Sequence, residues 1–109
     1  MATNYKVLGQ SNPAATTATT LYTVPAATQA IVSTITVCNQ TSTAGTYRIA
    51  VRVAGAALAA AQYLAYDVSL PGNATDTLTL GVTLGATDVI TVYASAATFS
   101  FNAFGSELS

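Results

Sequence analysis

Thr46-Tyr47-Arg48-Ile49-Ala50-Val51-Arg52-Val53 alternates without a break: Tyr47, Ile49, Val51 and Val53 share one parity, and Arg48, Ala50 and Arg52 share the other. A period of two is that of a half-buried strand, and no 3.6-residue period fits these residues. Upstream, Ile31-Val32-Ser33-Thr34-Ile35-Thr36-Val37-Cys38-Asn39 sets Ile31, Ile35 and Val37 against Thr34 and Thr36. Downstream, the run 77–84 sets Leu78, Leu80, Val82 and Leu84 against Thr77, Thr79, Gly81 and Thr83.

Weaker runs of the same kind fill the rest of the chain. They cover 5–8, 20–24 (stopped by Pro25), 62–70 (stopped by Pro71-Gly72-Asn73), 88–95 and 98–104. Within the run 62–70, Leu64, Tyr66, Val68 and Leu70 share a parity. In the last run, Phe99 and Phe101 face one way and Phe104 the other. About eight short strands at this spacing predict an all-β fold, an antiparallel β-sandwich or jelly roll, as a single domain over residues 1–109. One segment competes: Val53–Ala61, rich in Ala, reads as a crossing connection between sheets that holds a helical turn at most, because Ala-rich helices this short are marginal and Gly55 weakens this one further.

Composition limits function. The chain has 109 residues, 22 of them Ala and 19 Thr; 51% are hydrophobic and only 6% charged. A soluble domain usually carries about 25% charge. The charged residues are Lys6, Arg48, Arg52, Asp67, Asp76, Asp88 and Glu107, and there is no His and no Trp. Without an imidazole, a set of metal ligands or a basic face, the sequence predicts no enzyme, no metal or other cofactor and no nucleic-acid partner. The N-terminus lacks the pattern of a secretory signal, and Val53–Ala61 is too short to span a bilayer, so intracellular synthesis without membrane insertion is expected. A mean hydropathy of +0.49 in such a chain predicts apolar side chains at the surface, where they mark contacts.

Individual residues carry few candidate roles. Cys38 is the single cysteine, has no His to activate it, and reads as an inert core thiol. Asp76 and Asp88 sit where Asp commonly bonds its own turn, and no dense acidic loop points to Ca²⁺. The sequons Asn39-Gln40-Thr41 and Asn73-Ala74-Thr75 read as turn residues. Arg48 and Arg52, four apart on one strand face, read either as a solvated face or as guanidinium forks for carboxylates on a neighbouring subunit. Phe104, near the end of the chain, reads either as an apolar anchor between subunits or as core packing, the commoner fate of a Phe.

Leu21-Tyr22-Thr23-Val24-Pro25-Ala26 followed by the segment Ala30–Asn39 resembles a motif of small virion proteins of tailed bacteriophages. Tyr47-Arg48-Ile49-Ala50-Val51-Arg52, Tyr66-Asp67-Val68 and Phe104-Gly105-Ser106-Glu107 also resemble those proteins, including ones from phages of marine cyanobacteria. The resemblance implies a non-enzymatic β-sandwich on the virion, either a head decoration (cement) protein or a small tail or fibre module. The first role predicts a homotrimer on the major capsid protein that clamps neighbouring capsomers. The second predicts contact with a host surface or another virion protein, with exposed tyrosines able to meet sugars. An enzyme is the third class, and it lacks residues for a familiar mechanism.

Overall fold

The computed structural model describes residues 2–109. Nine strands form: β1 (Thr3–Ser11), β2 (Thr19–Thr23), β3 (Gln29–Asn39), β4 (Gly45–Arg52), β5 (Tyr63–Leu70), β6 (Thr75–Leu78), β7 (Val82–Leu84), β8 (Val89–Ala94) and β9 (Phe99–Leu108). One sheet runs β1-β9-β3-β6, with β7 also on β3; the other runs β2-β8-β4-β5. Every pairing is antiparallel. β1 pairs with β9, β2 with β8, β3 with β6 and β7, and β4 with β5. That nesting is one long hairpin rolled into two layers, the jelly-roll topology. The extents are 45 × 27 × 19 Å, and the shortest suits two sheets about 10 Å apart with their side chains.

The alternation read from sequence fills the space between the layers. Ile35, Val37, Tyr47, Ile49, Leu70, Ile90, Val92, Phe99 and Phe101 are fully buried. Tyr47 meets Phe101 edge to face at 6.2 Å between ring centroids. Each such side chain contributes about 1.5–3 kcal/mol of transfer free energy. Asn39 is buried too: its amide donates to the carbonyls of Thr43, Leu70 and Pro71, and its Oδ1 accepts from Thr41 N. The first sequon is thereby closed inside the fold, where its amide ties the β5–β6 turn to the end of β3.

Bulges account for the departures from the expected pattern. Ser33 is an extra residue in β3, so Ala30 and Val32 face inward before it and Ile35 and Val37 after it. Ile31 therefore points outward, contrary to the parity expected for it, and Cys38 is half-buried on the outer side of the sheet rather than in the core. The run 77–84 breaks at Gly81, which has φ +63°, into β6 and β7; this raises the strand count from eight to nine. Two bulges in β5 turn Leu64 and Tyr66 outward, away from Leu70. Val53–Gln62 does not cross between sheets. It joins β4 to β5 within one sheet as the tip of the rolled hairpin, with single 3₁₀ turns at Val53–Gly55 and Ala60–Gln62.

Candidate functional site

The outer face of the β1-β9-β3 layer carries a run of exposed apolar side chains. Val7 on β1 stands opposite Phe104 on β9, which stands opposite Thr34 on β3. One row along, Tyr5 and Ile31 flank Ser106 from the two sides. Tyr5 is 85% exposed, Val7 48%, Ile31 42% and Phe104 36%. Among the described residues, no charged side chain occupies an outward register position of this sheet; Lys6, Asp76 and Glu107 all belong to its inward set. The bulges at Leu8 and Ser33 lie on both sides of Phe104, and Ser33 Oγ donates to the Phe104 carbonyl. Phe104 thus sits at a fixed point of the face, the position the sequence singled out, while Tyr5, Val7 and Ile31 were not expected beside it. Tyr5 and Val7 share a parity in the sequence, but nothing local says which sheet face they reach.

Arg48 and Arg52 lie on the outer face of the other sheet, and both have partners within the chain. Tyr66 and Asp67 together oppose Arg48 at a β5 bulge, with Asp67 at φ +51°. Arg48 Nε donates to Asp67 Oδ1 at 2.6 Å and Nη2 to Oδ2 at 3.3 Å. Its guanidinium carbon lies 4.1 Å from the Tyr66 ring centroid and 4.3 Å from that of Tyr93. These hydrogen bonds hold the Asp67 carboxyl below its usual range. Arg52 donates from Nε to Ala56 O and from Nη2 to Gly55 O, which anchors the hairpin tip. Arg48 thus spends Nε and Nη2 on Asp67 and leaves Nη1 without a hydrogen bond, while Arg52 also donates from Nη1 to Thr91 Oγ1 at 3.4 Å.

Beside Arg48 an open depression of about 680 Å³ is lined by Leu58, Ala59, Ala60, Tyr63 and Tyr66. A second, of about 210 Å³, adjoins it at Leu58 and Tyr63 and continues over Ala50 and Thr91 towards Thr16 and Tyr93. Tyr63 meets Tyr66 edge to face at 4.9 Å. Small residues on β4 and β8 leave the floor low, and the hairpin tip supplies the wall.

The remaining charged groups serve the fold. Glu107, buried at the layer edge, accepts from Lys6 Nζ at 2.8 Å and from the Tyr22 hydroxyl. The Lys6 and Tyr22 hydrogen bonds hold its carboxyl below the usual range. Burial, then the Glu107 bond, pushes the Tyr22 phenol up. Tyr47 donates to Asp76 at 2.8 Å, so Asp76 receives a core phenol instead of capping a turn as expected. Asp88 does cap its turn, accepting from Gly85 N and also from Ala54 N on the hairpin tip. No protein family, curated protein or solved structure matches this chain.

Proposed function

We propose that the chain is a non-enzymatic virion structural protein, a head decoration (cement) protein of a tailed bacteriophage. It lies as a homotrimer on the outer surface of the major capsid protein and ties neighbouring capsomers together. The uncharged outer face built on Phe104, Val7, Tyr5 and Ile31 carries this reading. Contiguous exposed apolar side chains without charge mark contact surfaces, and a chain of such low charge is poorly protected from association when free. Closed rings are the usual outcome of such association, and capsid lattices offer threefold positions. The resemblance to small phage virion proteins supports the same role. A second reading, a tail or fibre module that touches a host surface, is favoured by the tyrosine-lined groove beside Arg48.

The test is saturable binding of the purified chain to empty phage heads. Phe104→Asp places a charge at the centre of the face, at a half-exposed position the core does not use. The native chain binds heads to saturation, and the variant keeps its far-ultraviolet spectrum but loses binding at least tenfold. Equal binding by the variant would reject this face as the contact.

A further inference from the structure

We propose that the groove on the outer face of the β2-β8-β4-β5 sheet binds a neutral saccharide, stacked on Tyr66 and Tyr63 and hydrogen-bonded at the Arg48–Asp67 pair. This names a ligand class for the second reading, and it does not depend on the first, because the Phe104 face belongs to the other sheet.

The argument starts from polar groups left without partners. Tyr22 and Tyr47 donate their hydroxyls inside the fold. Among the described residues, Tyr63, Tyr66 and Tyr93 have no protein partner for theirs, and Arg48 Nη1 makes no hydrogen bond. Three phenols and a guanidinium edge thus line one groove, next to apolar ring surface and Leu58. A sugar ring matches that mixture: its C–H face covers an aromatic ring while its hydroxyls meet polar tips. Charge narrows the class. Among the described residues, Arg48 is the one charged side chain lining either depression, and its ion pair with Asp67, which lies outside both linings, compensates it, so neither an anion nor a cation finds an uncompensated partner there. The space between Tyr66 and Tyr93 that would hold a ligand cation is already filled by Arg48. A volume of about 680 Å³ lies within the usual ~300–1,000 Å³ of ligand sites, and the second depression extends the groove for further sugar units.

The groove is preorganised. The β5 bulge delivers Tyr66 and Asp67 to the same side of Arg48, and Arg52 fastens the hairpin tip that carries Leu58. Few groups need ordering on binding, which suits a shallow site that gains only modest energy per contact.

Hexamers of glucose (α- and β-linked), mannose, galactose and N-acetylglucosamine, with a polygalacturonate hexamer as the acidic comparison, are titrated into the purified ¹⁵N-labelled chain. At least one neutral hexamer is expected to shift the amides of Leu58, Tyr63 and Tyr66 saturably, with a Kd on the order of 1 mM or tighter. Tyr66→Ala weakens that binding about tenfold, Tyr66→Phe weakens it less while keeping the ring, and Leu80→Ala, an exposed change outside the groove, leaves it unaltered. Absence of saturable shifts with every neutral hexamer overturns the proposal. So does tighter binding of the acidic hexamer, or full binding by both Tyr66 variants. Head binding by the same preparations is scored separately, so failure of the saccharide site and failure of the capsid reading are told apart.

Discussion

Arg48 stands between two tyrosine rings with its Nε and one terminal nitrogen on Asp67, and a planar, always-charged guanidinium suits that position as an ammonium does not. The sequence located the arginine on an outward strand face but not its partner, because Asp67 reaches it only through a bulge on another strand. Gly105 illustrates a different constraint. A Cβ there would lie 1.9 Å from the Ile31 carbonyl oxygen, so no side chain fits without moving β3 from β9. Gly105→Ala is expected to cost about 3 kcal/mol, the upper part of the overpacking range, read as a lowered urea midpoint; an unchanged midpoint would reject the close approach. Glu107 sets a pH dependence. Its folded carboxyl is depressed by Lys6 and Tyr22 from a usual value near 4.5, so its stabilisation is fully present above that value. It is lost as pH falls through the depressed folded value, when the carboxylate takes up a proton. Urea midpoints measured from pH 7 to pH 2 should therefore fall in the acid range, and Glu107→Gln should flatten that fall. An identical slope in the variant would remove Glu107 from the account.

At the scale of elements, the strands were legible and their bulges were not. Alternation located β3 and β4 because each buries one face against the other layer, which forces apolar residues to alternate, whereas β8 is buried on both faces and showed only as a weaker run. A bulge adds one residue without a fixed sequence signature, and the parity of everything beyond it reverses; Ile31 and Leu64 are exposed for that reason. The hairpin tip was misplaced for a related reason. Val53–Ala61 is long enough to cross between layers, and only the pairing of β4 with β5 keeps it in one sheet. The tip then depends on side chains from outside it: Arg52 holds the carbonyls of Gly55 and Ala56, and Asp88 holds Ala54 N. Arg52→Ala should lower stability by about 1 kcal/mol and speed amide exchange over Val53–Gln62 while the β3 and β9 amides stay protected. Uniform exchange across the chain would contradict a locally fastened tip.

The whole molecule presents two different faces. One, over β1, β9 and β3, is apolar and uncharged around Phe104; the other, over β8, β4 and β5, gathers three tyrosines, two arginines and Asp67. Low charge and high hydropathy in the sequence already required an apolar surface, but only the rolled topology collects Tyr5, Val7, Ile31 and Phe104 from strands far apart in the chain. In the proposed role the first face meets protein and the second stays open to the surroundings. Val7→Lys, on the same face as Phe104, should then weaken head binding at least tenfold without loss of strand content. Full head binding by this variant would contradict a capsid contact through this face.

The most direct test of the decoration role is the copy number of this chain in purified virions, measured by quantitative mass spectrometry against the major capsid protein. A decoration lattice predicts hundreds of copies, close to the count of the capsid protein itself. A handful of copies would contradict that role and place the chain on a tail or fibre, and none at all would contradict a place on the virion.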